Sequence, residues 1–252
     1  MLTATPLDGM PEITPGLDLG ETISTALARW PVPERARPGD ILVIAHKIVS
    51  KAEGRTRRLS DVTASARAIE LAAGVRDPRL VQVALEESRA VIRAVPGVIV
   101  CETHHGFICA NAGVDQSNVP GEDTVLMLPL DPDASARRIR ARLRELTGVA
   151  PGIVITDSFG RAWRTGQVDV ALGLAGVAAL DDWRGRSDKD GRQLRATVIA
   201  VADLLAASAD LARRKDAAQP VVLVRGADEY VTEPDGPGVS QLLRARAQDL
   251  FR

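Results

Sequence analysis

The sequence predicts an α/β fold of the α+β kind, with mixed sheets joined by long irregular loops. Three observations lead there. Continuous apolar runs of strand length occur at residues 41–45, 152–156 and 220–224, as expected of strands buried on both faces. Segments with apolar residues at helical spacing stand between them. The connections are polar and rich in Gly, Pro and Asp. Neither GxxxxGK[ST] nor a GxGxxG after a strand is present, so the fold is neither of the P-loop nor of the Rossmann type.

Residues 1–20 read as loop, with a short strand at residues 10–13. A helix follows over residues 19–30 and is broken by Pro31, Pro33 and Pro38. Gly39-Asp40 opens the first clear strand, which runs into His46, Lys47, Ser50 and Lys51. Lysines at a strand's end suit phosphate oxygens; a pair of solvated lysines is the alternative. Residues 61–74 read as an Ala-rich helix. Asp77-Pro78 begins another, with Leu80, Val81, Ala84 and Leu85 on one face. Residues 98–100 and 125–129 read as strands. Asp131 caps a helix whose Arg137, Arg138, Arg140, Arg142 and Arg144 read as a solvated face. Residues 159–169 read as polar and irregular, 170–179 as small and tightly packed, and 181–192 as a charged loop. A long buried helix is expected over residues 193–215, a last strand over 220–226 and a short helix over 241–251.

Length and composition narrow the function. A chain of 252 residues with 45% hydrophobic and 26% charged residues supports a buried core, read here as one domain over residues 1–252. A net charge of −1 argues against a general nucleic-acid binder. Cys101 and Cys109 read as buried structural thiols. His104-His105 lacks the spacing of a zinc site. No signal peptide and no membrane-spanning run is evident, so the expectation is a cytoplasmic protein without membrane association.

Two stretches carry chemistry. Residues 110–118 place Asp115 among two Asn amides, a Ser hydroxyl and a Gly that permits a tight turn. Residues 153–161 form an apolar strand that delivers Asp157-Ser158 to its end, followed by Gly160 and Arg161. Two strand-end carboxylates, each beside a hydroxyl or amide, suggest a shared metal–phosphate site.

Three motifs then resemble one family. Residues 39–55 (GDILVIAHKIVSKAEGR), 109–119 (CANAGVDQSNV) and 156–168 (TDSFGRAWRTGQV) look like those of the coenzyme F420-0:L-glutamate ligase family. With lower density the resemblance extends from Gly9 to Gly226. It implies a GTP-dependent ligase joining L-glutamate to F420-0 through an acyl phosphate, with release of GDP and phosphate. It also implies two manganese or magnesium ions, potassium as a helper, and an intertwined homodimer. A C-terminal reductase domain found in some relatives is not expected in this chain.

By that resemblance Asp115, Asp157 and Ser158 are metal ligands. Asp115, Asp157 and Lys51 carry the catalysis. The nucleotide is contacted by Met10, Pro11, Glu12, Ile13, His46, Lys51, Asn118, Arg213, Arg214 and Lys215. Arg161 and Arg164 are candidates for a substrate carboxylate or phosphate, with structural ion pairs as the alternative. The chain departs from the family pattern at Leu17, Trp183, Val198 and residues 213–215, where Arg-Arg-Lys replaces a Met-Gly followed by Gln, Glu or Lys. Two other readings therefore stand: the same chemistry on another acceptor carboxylate, and a non-catalytic GTP- or metal-binding relative.

Overall fold

The computed structural model describes residues 1–31, 35–117, 121, 123–214 and 216–250. In chain order the elements begin with β1 (Thr3–Pro6), α1 (Leu19–Ala28), β2 (Ile41–Ala45), α2 (His46–Ala52), β3 (Thr56–Arg58) and α3 (Ala66–Ala72). Then come α4 (Pro78–Glu86), β4 (Ser88–Val95), β5 (Val98–Thr103), β6 (Ile108–Ala110), β7 (Thr124–Leu126) and α5 (Pro132–Thr147). The remainder is β8 (Gly152–Arg161), β9 (Arg164–Ala175), β10 (Asp181–Asp182), β11 (Val198–Ile199), α6 (Val201–Ala212) and β12 (Val221–Arg225). The class is the expected mixed α and β one.

A five-stranded sheet in the order β1-β12-β2-β8-β9 forms the centre. Only β2 and β8 run parallel; the other neighbours are antiparallel. Its apolar strands are covered on both faces, as their continuous hydrophobicity requires. Leu42, Ile44, Ile153, Ile155 and Leu223 face Ile23 and Leu27 of α1 and Ile139 and Leu143 of α5. Their sequence neighbours Ile41, Val43, Val154, Val222 and Val224 face the other way, onto Val201, Leu205 and Ala209 of α6. The two-residue period of a strand thus divides one apolar run between two cores. A third cluster lies in the long β2-to-β8 connection, where α3 and α4 pack on the β4-β5-β6 sheet.

The helix ends follow local chemistry. Asp18, Asp77 and Asp131 cap α1, α4 and α5 by accepting from Glu21 N, Arg79 N and Ala134 N. Gly173 brings α5 hard against β9: a Cβ there would lie 2.4 Å from the Pro132 carbonyl carbon.

Several expectations are corrected. Residues 10–13 are coil, and the N-terminal strand is Thr3–Pro6, held on β12. The strand ends at Ala45 as read, and residues 46–52, for which no element is expected from the sequence, are helical. Residues 88–95 form β4, which has no buried position and so shows no apolar period. Residues 159–169 are not irregular: they are the outer half of the β8–β9 hairpin, polar because it projects beyond the core. The helix expected from residue 193 starts at Val201. Residues 194–199 are instead tied to 181–186 through Trp183 N to Thr197 O, Gly185 N to Leu194 O and the β10–β11 ladder. The C-terminal helix is replaced by short 3-10 turns at Val239–Leu242 and Arg246–Gln248. Arg140 is buried rather than solvated, donating to the carbonyls of Pro151, Thr232 and Glu233 and to Asp235.

Both cysteines are free and buried. Among the described residues no helix is long and apolar enough to cross a membrane.

Candidate functional site

A cavity of about 850 Å³ opens at the ends of β2 and β8. Because β2 passes directly into α2, His46 leaves the sheet at the cavity wall, and Lys47 and Lys51 share one helix face at i, i+4. The parallel register sets Ala45 beside Thr156, so the next residue of β8, Asp157, meets His46. Asp157 Oδ1 lies 3.5 Å from His46 Nε2. His46 is 1% exposed; Nδ1 is 3.2 Å from Ser50 Oγ, and Nε2 has no hydrogen-bond partner among the described residues.

Asp115 arrives from another direction. After β6 the backbone takes three successive left-handed residues, Asn111 (φ 55°), Ala112 (φ 54°) and Gly113 (φ 73°). This tight reversal sends Asp115 back to pair with Leu126 through both of its backbone groups. The carboxylate then accepts from Ser117 N at 2.9 Å and Ser117 Oγ at 2.6 Å, and pairs with Lys47 Nζ at 2.5 Å. Burial pushes the Asp115 carboxyl up. The Lys47 ammonium and the Ser117 donors outweigh it and hold the group below its ordinary value.

One turn further along α2, Lys51 Nζ reaches Glu12 Oε1 at 2.6 Å. The floor is a buried network. In the β8–β9 ladder Ser158 pairs with Asp169, and Ser158 Oγ donates to Asp169 Oδ1 at 2.6 Å. Thr156 Oγ1 donates to Asp169 Oδ2 at 2.9 Å. Arg213, just past the end of α6, reaches the same carboxylate oxygen through Nη2 at 2.5 Å. Cys109 also lines the cavity. Burial, and then the negative charge of Asp157, push its thiol up to about 12, which disfavours the nucleophilic thiolate.

The cavity therefore gathers Met10, Pro11, Glu12 and Ile13 with His46 and Lys51, then Asp115, Asp157 and Ser158, and finally Arg213 and Arg214. Asn118 and Lys215 lie outside the described residues. Arg161 and Arg164 do not line it. They flank the hairpin turn, where Arg161 Nη2 donates to Thr165 O and Arg164 is exposed. The sequence reading noted the Ser117 hydroxyl beside Asp115 but missed Asp169. Asp169 carries a signal in retrospect: a carboxylate between Val168 and Val170 within an otherwise apolar strand end.

Each carboxylate here faces a basic group of its own: Glu12 with Lys51, Asp115 with Lys47, Asp157 with His46, Asp169 with Arg213. Among the described residues no group of three or more His, Cys, Asp and Glu assembles as a metal cage. A magnesium-like ion in a nucleotide enzyme needs none, since one or two carboxylates and the substrate's own phosphates complete its shell.

Fold and cavity together define an α/β protein whose main pocket is lined by paired carboxylates and basic side chains, in a chain without a P-loop or Rossmann motif. Residues 9–226 match the model of the F420-0:gamma-glutamyl ligase family, and the chain belongs to that family. It is 42% identical to the coenzyme F420:L-glutamate ligase of Methanopyrus kandleri, over 96% of this chain and 94% of that protein. The protein of the same name from Methanothermobacter thermautotrophicus is 43% identical, over 98% and 97% of the two chains. That from Haloarcula marismortui is 42% identical, over 98% and 94%.

Proposed function

We propose that this protein joins L-glutamate to coenzyme F420-0 in coenzyme F420 biosynthesis, using GTP to activate the acceptor carboxylate. The observation that carries the reading is the convergence of Asp115, Asp157 and Lys51, from three separate parts of the chain, on one cavity. A carboxylate is a poor acyl donor. Transfer of the γ-phosphoryl group gives an acyl phosphate; the glutamate amine then attacks, forming the amide and releasing phosphate, with GDP as the other product.

In this reading Lys51 and Lys47 turn from their carboxylate partners to the triphosphate, and His46 donates to it from the wall. The segment Met10–Ile13 borders the nucleotide, as do Arg213 and Arg214, which line the same cavity. Asp115 and Asp157, with the Ser158 hydroxyl, would hold divalent cations, manganese or magnesium. His46 Nε2, without a hydrogen-bond partner among the described residues, and the Asp157 carboxylate 3.5 Å from it fit a site completed by ligand. Such ions supply neutralisation of the charge that builds up on the phosphoryl oxygens. Potassium as a helper ion, cytoplasmic action, residues 1–252 as a single catalytic domain and a homodimer belong to the same proposal. Ile92, Val95, Val98 and Ile108, exposed on the β4-β5-β6 sheet, offer an apolar face for a second copy.

Incubation with GTP, Mn²⁺, L-glutamate and F420-0, followed by mass spectrometry, tests the reading. A gain of one glutamyl unit with matching GDP release is expected. Absence of both would overturn it. A second reading, the same chemistry on another acceptor carboxylate, is favoured by Arg213, whose bulky cation sits in the cavity floor. GDP release with a different acceptor and none with F420-0 would select it.

A further inference from the structure

We propose that Asp169 and Arg213 are a positioning pair that sets the Ser158 hydroxyl as a cation ligand from beneath the cavity. The inference rests on the proposed reading of the cavity as a cation–triphosphate site. An ionised carboxylate only accepts hydrogen bonds, so the 2.6 Å contact consumes the Ser158 proton. What Ser158 then presents to the cavity is oxygen lone pairs, as a divalent cation requires. Thr156 is fixed the same way: its hydroxyl donates to Asp169 and accepts from Arg213 Nη2 at 3.1 Å.

Asp169 plays the part that an outer carboxylate plays for a metal-binding group: it fixes the orientation of the ligand and raises its donor strength. Such a carboxylate is costly when buried, and Asp169 is 3% exposed. Arg213 supplies the compensating charge from within the chain. It too is buried, it lines the cavity, and its Nε has no hydrogen-bond partner among the described residues. The Arg213 charge offsets that of Asp169 beneath the carboxylates of Asp115 and Asp157.

Opposite consequences follow for the two members. Asp169→Asn brings an amide that competes for donors, frees the Ser158 proton to turn toward the cavity, and leaves Arg213 unneutralised. Arg213→Met removes a positive charge beneath the site and leaves Asp169 in place. A pair that merely held β8, β9 and α6 together would shift both variants in the same direction.

The experiment is Mn²⁺ titration of the purified full chain, followed by the electron paramagnetic resonance signal of free Mn²⁺, with folding of each variant checked by circular dichroism. Wild type is expected to bind Mn²⁺, and Asp157→Asn to lose that binding; these two test the cavity reading itself. Asp169→Asn should weaken Mn²⁺ about tenfold or more, and Arg213→Met should tighten it severalfold. Arg213→Lys, which keeps the charge, should stay close to wild type and replaces the Met variant if that chain does not fold. With wild-type binding present, weakening in both Asp169→Asn and Arg213→Met would overturn the pair while leaving the cavity reading intact. So would an unchanged Asp169→Asn, or weakening in Arg213→Lys as great as in Asp169→Asn. No Mn²⁺ binding by wild type would overturn both.

Discussion

Gly113 lies two residues before Asp115 and decides where that carboxylate goes, so Gly113→Ala is a test of the whole loop. Its φ of 73° falls in the left-handed region, which costs a residue bearing a Cβ about 1–2 kcal/mol. Space is short as well. A Cβ at Gly113 would lie 2.7 Å from Leu128 Cγ, 2.8 Å from Cδ2 and 2.9 Å from Cδ1. Carbon atoms at rest sit about 3.5–4.0 Å apart, so roughly 1 Å of movement is demanded. Leu128 is 1% exposed and has nowhere to retreat. Overpacking of this kind costs about 1–3 kcal/mol. The sum is about 2–5 kcal/mol, and at about 2–4 °C per kcal/mol for a chain of this size Tm should fall by roughly 4–20 °C. Thermal unfolding followed by circular dichroism measures it. Gly74→Ala is the control, with a φ of 68° and no atom within 4 Å of the added carbon. That variant carries the backbone strain of about 1–2 kcal/mol alone. Equal shifts in the two variants, or none in Gly113→Ala, would refute the packing argument.

Other outcomes follow from the same geometry. Lys51→Ala should raise the GTP concentration needed for turnover more than the glutamate concentration, since Lys51 faces the Met10–Ile13 segment; steady-state kinetics on both substrates decide it. Lys47→Met removes the ammonium from Asp115 and should tighten Mn²⁺ binding, and weaker binding would place Lys47 outside the cation's way. The folded value of the Asp115 carboxyl lies below its ordinary one, so its contribution to stability is complete above about pH 4 and is lost as pH falls through the folded value. Asp115→Asn should therefore lose less stability than wild type on acidification into that window, as urea titrations across pH would show. Cys109, with its thiol pushed up to about 12, should resist alkylation at neutral pH in the native protein and react once the chain is unfolded. Rapid native labelling, read by mass spectrometry, would contradict this.

Legibility differed from segment to segment, and for physical reasons. Residues 41–45 and 221–225 were readable because a strand buried on both faces must be apolar throughout. Caps at Asp77 and Asp131 were readable because the capping hydrogen bond is local. The hairpin beyond Phe159 was not, since its polar side chains serve a cavity and solvent rather than a core. Residues 193–200 carry helix-forming residues, yet their backbone is claimed by the 181–186 segment, a partner that local propensity does not contain.

The sequence by itself determined the mixed α/β class, the central strands β2 and β12 with the inner part of β8, and the acidic and basic side chains that stand at their ends. Those depend on residues within a few positions of one another. Only the tertiary structure decided which of these groups meet. Parallel pairing of β2 with β8 sets Asp157 against His46, and the left-handed turn at residues 111–113 carries Asp115 to Lys47. Arg213 lies 44 positions along the chain from Asp169, and the packing of α6 beneath the sheet brings them together. Contacts at that separation are selected by the burial of whole elements, and no short stretch of sequence encodes them.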